Sequence, residues 1–338
     1  MKKWLQVFLA AALAALLCGC AQSPREPLPP ALETEPATVS TEPEIQTVMV
    51  TEPETISAEQ EAQALAEHPP AVPVVPAAEA AGELVERCDS AEIDHSHAEQ
   101  GYVMVRYTAE TDKRLKVLVR GPQTTYQYNL PQGEWTVLPL SDGNGSYEVG
   151  VYENVTGSQY AKVLTLHREV ELEDSFAPFL RPNQYVNYTE STRAVAKGLT
   201  LTEGLEDPLQ KVEAVYDFVV GTFHYDYEKA ATVKSGYLPD LDAILDTEKG
   251  ICFDYAAVMT AMLRSQEIPC KMVIGYAGQT YHAWISVWTE ESGWVDGAIF
   301  FDGKQWKRMD PTFASTADSS DEILNFIQNG NYRVKYLY

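Results

Sequence analysis

Residues 250–264 read GICFDYAAVMTAMLR, and this stretch decides the fold of the second half of the chain. It is rich in Ala, Met and Leu and holds no Gly or Pro after its first residue, which predicts a mostly buried helix. Cys252 falls at the predicted start of that helix, just after Gly250. Helix starts carry backbone N–H groups without intrahelical partners and a partial positive charge, which favour a thiolate over a thiol. The stretch therefore predicts an activated cysteine.

Two later residues could complete a thiol-activating site. His282 opens the strand-like run HAWISVW, and Asp310 precedes a proline, which favours extended backbone at a strand end. An unperturbed thiol with a pKa near about 8.5 is mostly protonated at pH 7, so a nucleophilic Cys252 needs a general base and a group that orients it. Each residue alone also fits a structural role, as a buried Cys, a structural His or an Asp-Pro turn.

Helices followed by antiparallel strands are expected around this site. A short helix is predicted over 189–198, and Asp207 with Pro208 predicts the start of a helix that runs to about Thr222. The strand-like runs that follow the Cys252 helix are KMVIGYAG, HAWISVW, GWVDGAIFF, QWKRMDP and YRVKYLY. This order of elements indicates the α+β class.

Residues 102–172 alternate apolar and polar side chains between clusters of Gly, Pro, Asn and Asp. This pattern predicts a small all-β sandwich over 98–173, with an immunoglobulin-like topology as one option. The stretch SDGNG (141–145) is predicted to form a hairpin turn. Since no titratable cluster marks a site there, we expect a spacing or adhesion domain.

The first 20 residues, MKKWLQVFLAAALAALLCGC, predict an exported lipoprotein. Two lysines precede 14 mostly apolar residues, fewer than the roughly 20 that a spanning helix needs, as is typical of a secretory signal peptide over 1–20. The ending Leu17-Cys18-Gly19-Cys20 resembles a bacterial lipobox, with Cys18 an unusual residue at its position and Cys20 the expected lipidation site. A signal peptide cleaved elsewhere is the alternative. We expect the protein on the cell surface, anchored to the outer face of the bacterial cytoplasmic membrane.

Residues 21–85 predict a disordered linker or stalk, because Thr-Glu-Pro recurs at 34–36, 41–43 and 51–53 and combines helix-breaking proline with repelling glutamate. The chain has 338 residues, enough for roughly two domains. It carries 25 Lys and Arg against 49 Asp and Glu, a formal net charge of −24, and no basic stripe. Nucleic-acid binding is therefore excluded.

Three cysteines remain once the signal peptide is removed and Cys20 is acylated, and they are Cys88, Cys252 and Cys270. An odd number in an exported protein means at least one free thiol or a bond to another chain. A Cys88–Cys270 disulfide is compatible with the sequence but not determined by it.

No cofactor or metal is implied by the sequence. The run EIDHSH (92–97) could chelate a metal, but two His residues two positions apart in a loop are usually solvated. Phosphate-binding loops, dinucleotide-binding glycines and a Gly-x-Ser-x-Gly motif are absent.

The order of motifs in residues 237–313 closely resembles the core of the transglutaminase-like superfamily. That pattern has a glycine two positions before a cysteine, a helix ending in Leu-Arg, an Ile-Pro turn, a strand with Gly-Tyr, then His-Ala-Trp and Asp-Pro-Thr. The corresponding residues here are Gly250, Cys252, Leu263-Arg264, Ile268-Pro269, Gly275-Tyr276, His282-Ala283-Trp284 and Asp310-Pro311-Thr312.

The resemblance implies a papain-like α+β catalytic domain over 174–338. It also implies roles for three residues, with Cys252 as nucleophile, His282 as base and acid, and Asp310 as the group that orients the imidazole. Asp296 and Asp302 are alternative orienting residues, but neither precedes Pro-Thr.

An oxyanion hole would use the backbone N–H of Cys252 and, in relatives, an aromatic side chain upstream of it. Tyr225 is the first candidate for this second hydrogen-bond donor and Tyr237 is the next candidate, although both side chains could have a packing role alone. Asp254 is expected to stabilise the helix start. Trp284 and Trp288 are expected in the core, with one as a potential roof of the cleft.

The implied activity is acyl transfer from amide bonds of proteins or peptides through a thioester on Cys252. Resolution of the thioester by water would make the protein a cysteine peptidase or amidase, which we favour. Resolution by a lysine amine would make it a protein-glutamine gamma-glutamyltransferase. A non-catalytic surface binding module on the same fold is the third alternative.

Overall fold

The computed structural model describes residues 72–290, 293–296, 299–301, 306–308, 312 and 332–338. The expected signal peptide, the lipidation site Cys20 and most of the expected linker lie outside the described residues. Asp302 and Asp310 also lie outside them, as does the side chain of Asp296. Among the described helices, none combines the length and the apolar character needed to cross a bilayer.

Eight strands between residues 85 and 170 form two four-stranded antiparallel sheets. They are β1 (Val85–Arg87), β2 (Ala91–Asp94), β3 (Tyr102–Tyr107), β4 (Leu115–Arg120), β5 (Thr125–Asn129), β6 (Thr136–Pro139), β7 (Gly145–Thr156) and β8 (Gln159–Val170). One sheet has the order β1-β2-β3-β6 and the other the order β5-β4-β7-β8. Every second side chain of β4 and β5 is buried, as a period of two predicts.

This arrangement confirms the predicted β-sandwich, and its strand order is the immunoglobulin-like one that the sequence left as an option. Strands β2, β3 and β6 take the places of A, B and E, and β5, β4, β7 and β8 those of C′, C, F and G. The Tyr147 hydroxyl, near the start of β7, lies 2.8 Å from the carbonyl oxygen of Gly143 and 3.2 Å from that of Leu140. Such a tyrosine corner is typical of the connection between E and F.

The prediction of a hairpin turn at 141–145 is wrong. Strand β6 pairs with β3, whereas β7 pairs with β4 and β8, so this stretch carries the chain from one sheet to the other. The Asp142 carboxylate accepts backbone N–H bonds from Gln123 (2.9 Å) and Thr124 (2.6 Å), which fixes the crossing to the loop before β5. The tight hairpin lies at Gly157, between β7 and β8, with a φ of 53° that glycine adopts readily.

The folded part extends before residue 98. Strands β1 and β2 belong to the first sheet but hold only three and four residues, too few to give a periodic signal. The preceding segment 72–84 has neither helix nor strand, yet its backbone is fixed on the fold. The Val74 N–H donates to the Ser265 carbonyl oxygen (2.8 Å), and the Gly82 N–H donates to the Asp94 carboxylate (2.7 Å).

Among the residues that the structure describes, the second half of the chain has five α-helices. They are α1 (Arg193–Leu201), α2 (Pro208–Thr222), α3 (Tyr227–Thr232), α4 (Leu241–Thr247) and α5 (Cys252–Arg264). Its strands are β9 (His224–Tyr225), β10 (Lys249–Gly250), β11 (Cys270–Ala277), β12 (Thr280–Thr289), β13 (Gly293–Asp296), β14 (Ile299–Phe301), β15 (Trp306–Arg308) and β16 (Tyr332–Leu337). The four-stranded antiparallel sheet β13-β12-β11-β16 packs on α5, so the predicted α+β class is confirmed.

The predicted starts of the helices at Pro208 and Cys252 are both confirmed. Helix α2 begins at Pro208, and the Asp207 carboxylate accepts the Leu209 N–H at 2.9 Å. Helix α5 begins at Cys252, and all its residues from Asp254 onward are buried. These starts could be predicted because a cap and a run without Gly or Pro are local signals that depend on neighbours in the sequence alone.

The far end of α5 is fixed by a buried arginine. The Arg264 guanidinium donates to the carbonyl oxygens of Cys270 (2.8 Å), Arg181 (2.7 Å) and Tyr338 (2.6 Å). These acceptors come from three separate segments of the chain. Arg264 therefore joins the end of α5, the main sheet and the chain before α1.

Candidate active site

Cys252 is the first residue of α5 and is half-buried. Its backbone N–H has no acceptor within the helix, because the first turn has no preceding turn to bond to. The buried Asp254 carboxylate accepts the Ile251 N–H at 2.8 Å and stabilises this helix start, as expected. A side chain at Gly250 would place its Cβ 2.7 Å from the Asp254 Cβ, so the close turn before Cys252 requires glycine.

His282 lies on β12 and is only 5% exposed. Its register partner on β11 is Gly275, where a Cβ would come within 2.7 Å of the Trp284 ring. The imidazole is nearly parallel to that indole, with an interplanar angle of 20° and ring centroids 6.2 Å apart. Trp284 is buried, as expected, and packs beside His282 rather than over an open cleft. The neighbouring aromatic ring therefore restricts the orientation of the imidazole.

Cys252 and His282 line the same cavity, of about 660 Å³. Tyr225 lines it as well, so the structure brings three of the residues selected from the sequence to one place. Asp310 lies outside the described residues. The other lining residues are Gln127, Tyr185, Ala230, Val233, Lys234, Ser235, Gly236, Tyr237, Ile251, Phe253, Ile274, Tyr281, Ala283, Lys335, Tyr336 and Tyr338.

A short parallel strand pair positions Tyr225. Strand β9 pairs with β10 so that Tyr225 lies opposite Gly250, two residues before Cys252. The next residue, Asp226, donates its backbone N–H to the Gly250 carbonyl oxygen at 2.8 Å. Burial raises the pKa of Tyr225 to about 12, and the electrostatic interaction with the neighbouring Cys252 adds to the shift. The hydroxyl thus stays protonated at neutral pH and can donate a hydrogen bond.

Tyr237 does not have a hydroxyl proton available for the cavity. Its hydroxyl donates to the Asp254 carboxylate at 2.6 Å, and the Lys229 ammonium donates to the same hydroxyl at 2.6 Å. Lys229 also donates to Asp254 at 2.6 Å, and the two form an ion pair. Burial and the hydrogen bond to Asp254 raise the pKa of Tyr237. Sequence reasoning missed Lys229, because a lysine in a charged stretch gives no signal of a distant partner.

Cys88 and Cys270 are not paired in the structure, where Cys88 is exposed and Cys270 is buried. Burial raises the pKa of the Cys270 thiol to about 11, so this cysteine stays protonated at neutral pH. In the EIDHSH run, the Asp94 carboxylate accepts the Ser96 N–H at 2.9 Å. Within the described part of the chain, no group of three or more His, Cys, Asp and Glu side chains is arranged to hold a metal ion.

Residues 193–311 match the family model of the transglutaminase-like superfamily. The match begins at the first residue of α1, contains α5 and β12, and ends at Pro311. It therefore includes Cys252, His282 and Asp310. This segment is a transglutaminase-like domain, as the resemblance in sequence implied.

Two curated relatives share parts of the sequence. One is the uncharacterized protein YebA of Bacillus subtilis, 24% identical over an alignment of 181 residues that covers 47% of this chain and 24% of that protein. The other is a protein-glutamine gamma-glutamyltransferase of Pseudomonas aeruginosa, 34% identical over an alignment of 68 residues that covers 16% of this chain and 10% of that protein. This chain thus spans a quarter or less of the length of either relative.

Three solved structures are similar to part of this chain. A candidate cysteine protease from Cytophaga hutchinsonii has a TM-score of 0.31 and 14% identity, covering 62% of this chain and 78% of that one. A candidate protease from Parabacteroides distasonis has a TM-score of 0.30 and 14% identity, covering 46% and 37%. Red sea bream transglutaminase has a TM-score of 0.28 and 12% identity, covering 69% and 56%.

Proposed function

We propose that this protein is a thiol enzyme that transfers acyl groups from amide bonds of proteins or peptides. The observation that carries the proposal is the shared cavity of Cys252 and His282 within a transglutaminase-like segment. Asp310, inside the same segment, would accept a hydrogen bond from the imidazole and hold it in one orientation. A helix start, a buried imidazole and a cavity are the parts that an activated thiol requires.

In the proposed reaction, the Cys252 thiolate attacks the carbonyl carbon of the substrate amide. The carbonyl oxygen becomes an oxyanion that accepts hydrogen bonds from the Cys252 backbone N–H and from the Tyr225 hydroxyl. The C–N bond then breaks, and the imidazolium of His282 gives its proton to the departing amine. A thioester remains on Cys252, and His282 can next take a proton from the incoming water or amine.

We favour hydrolysis of the thioester, because water reaches any open cavity and no site for an amine donor can be identified among the described residues. The observation that favours the alternative, transamidation, is the 34% identity to a gamma-glutamyltransferase over 68 residues. Transamidation would use the same three residues of this chain, so the choice between water and amine depends on access to the thioester.

The test is an incubation of the full chain with a glutamine-containing peptide and dansyl cadaverine, followed by mass spectrometry of the peptide. Conversion of glutamine to glutamate, or cleavage of a peptide bond, supports the hydrolase. An amine adduct at glutamine would assign the transferase instead. Loss of every product in Cys252→Ala is required in both cases, and an absence of any product in the wild type would favour a binding module.

We further propose that a lipid on Cys20 anchors the protein to the outer face of the cytoplasmic membrane. The support is the sequence MKKWLQVFLAAALAALLCGC, followed by a Pro- and Glu-rich segment that could act as a spacer. Intact mass of the protein from the membrane fraction should show a diacylglyceryl adduct that Cys20→Ser abolishes. An unmodified N-terminus in that fraction would contradict the anchor.

A further inference from the structure

Strand β5 of the sandwich reaches the candidate active site. Gln127, in the middle of β5, lines the cavity together with Cys252 and His282. In the part of the chain that the structure describes, this strand is the edge of its sheet and pairs only with β4. Tyr126 and Tyr128 face the buried side of β5, so the intervening Gln127 side chain is exposed on the other face.

Hydrogen bonds fix β5 to the α+β part of the chain. The Gln184 side chain donates to the Asn129 carbonyl oxygen at 2.6 Å and accepts the Asn129 N–H at 3.3 Å. The Tyr185 hydroxyl donates to the Gln127 carbonyl oxygen at 3.0 Å. These bonds satisfy outward backbone groups of an edge strand, and they hold Gln127 in a constant position relative to Cys252.

Packed tyrosine rings reinforce this contact. The Tyr338 ring is buried against Tyr126, Tyr128 and Tyr185, with ring centroids 5.7, 5.9 and 4.4 Å apart. Tyr126 and Tyr128 are almost fully buried. An interface centred on the buried rings of Tyr126, Tyr128 and Tyr338 is typical of a permanent contact, whereas a mobile spacer would expose a more polar surface.

The chemistry of Gln127 suits one kind of ligand. A carboxamide has both an N–H donor and a carbonyl acceptor, which match the acceptor and donor of a peptide group. The side chain carries no charge, lies on a strand that is hydrogen-bonded to the α+β part of the chain, and lines the same cavity as the nucleophile. An extended peptide passing over Cys252 would therefore meet a complementary hydrogen-bonding group on the sandwich.

We propose that the sandwich forms one wall of the substrate cleft and that Gln127 binds the main chain of a polypeptide substrate. This inference rests on the proposed thiol-enzyme function and names its substrate class, a peptide that extends beyond the reacting amide. The sandwich is then a specificity element, in place of the spacing or adhesion domain that its sequence suggested.

The test compares two electrophiles on the full chain. One is an acetylated and amidated diaminopropionate with a chloroacetamide on its side chain, and the other carries the same residue at the centre of an alanine heptapeptide. Mass spectrometry gives the rate of adduct formation at Cys252. The ratio of the heptapeptide rate to the single-residue rate measures recognition of the main chain.

For the wild type we expect a ratio well above one. Gln127→Ala should lower the ratio about two- to tenfold, the effect of one lost neutral hydrogen bond. Thr125→Ala is the matched control, because Thr125 is exposed on the same face of β5 but does not line the cavity. This control should keep the wild-type ratio.

Three results would overturn the inference. A wild-type ratio of one, or an unchanged ratio in Gln127→Ala, would contradict it while leaving the reactive thiol of Cys252 intact. An equal decrease of the rate ratio in Thr125→Ala would assign the effect to β5 as a whole rather than to Gln127. A single-residue rate at Cys252 no higher than that at the exposed Cys88 would instead contradict the proposed function itself.

Discussion

The Tyr237 hydroxyl donates a 2.6 Å hydrogen bond to the Asp254 carboxylate, which is fully buried in the first turn of α5. Tyr237 lines the cavity, and Asp254 caps the start of the helix that carries Cys252. This bond therefore connects one wall of the cleft to the nucleophile. Lys229 bonds to both groups and supplies the positive charge that the buried carboxylate requires.

Removal of the Tyr237 hydroxyl should destabilise the protein. In Tyr237→Phe the ring can still pack on Phe253, whose centroid is 6.2 Å away, but Asp254 loses a charge-assisted hydrogen bond. We expect the free energy of unfolding in urea to fall by about 1.5–3 kcal/mol. Tyr227→Phe is the control, since Tyr227 is 69% exposed and should tolerate the change. Equal stability of the two variants would show that the bond to Asp254 contributes little.

Lys229→Met should lower the free energy of unfolding by more than Tyr237→Phe does, because it leaves the Asp254 carboxylate buried without a cation. The loss expected for a fully buried pair is about 3–5 kcal/mol, and the 26% exposure of the Lys229 side chain places the expected value near the lower end. The double variant Lys229→Met/Asp254→Asn should lose less stability than the sum of the two single variants. Urea unfolding measures all three, and strict additivity would contradict a direct interaction.

Arg264→Lys should be strongly destabilising although it keeps the charge. A lysine ammonium is a single point, whereas the guanidinium fork of Arg264 reaches three carbonyl oxygens at once. We expect a loss of about 2–4 kcal/mol in the free energy of unfolding. Arg193→Lys is the control, because Arg193 is exposed and its bond to Asp246 lies at the surface. An equal loss in the free energy of unfolding of the two variants would contradict the role of Arg264 in joining three segments of the chain.

The buried thiol of Cys270 should make stability depend on alkaline pH. Because burial raises its pKa from 9.0 to about 11, the folded state keeps a proton that the unfolded state releases above pH 9. The contribution of this proton to the free energy of unfolding is fully present below pH 9. Between pH 9 and 11 it falls by about 1.4 kcal/mol per pH unit.

The stability advantage of the wild type over Cys270→Ala should therefore shrink by roughly 2 kcal/mol between about pH 8 and 10.5. Urea unfolding at the two pH values measures this change. Cys88→Ala, which removes an exposed cysteine, is the control for the loss of a thiol. Parallel pH curves for the wild type and Cys270→Ala would contradict the assignment to the buried thiol.

Local signals account for what the sequence could predict. The Asp207–Pro208 cap and the breaker-free run after Gly250 place the starts of α2 and α5 correctly, since both depend on adjacent residues. Strict alternation predicted strands β3 to β8 for the same reason. The choice of Cys252, His282 and Tyr225 drew on spacing and family resemblance, and all three line one cavity.

What the sequence could not predict depends on contacts between distant segments. The stretch 141–145 has the composition of a hairpin turn, but the pairing of β6 with β3 makes it a crossing between sheets. The local amino-acid composition does not indicate the ion pair of Lys229 with Asp254. Likewise, nothing in the alternation of β5 indicates that Gln127 faces a cavity built by the other half of the chain.

The central claim, that His282 activates Cys252, is tested most directly by the rate of iodoacetamide alkylation of Cys252 and Cys88 in the same molecules. Peptide mass spectrometry at pH 6.5 resolves the two sites, and the exposed Cys88 serves as the internal reference. We predict that Cys252 reacts at least about tenfold faster than Cys88, and that His282→Ala removes this advantage without changing the Cys88 rate. A Cys252 rate no higher than that of Cys88, or one unaffected by His282→Ala, would contradict the claim.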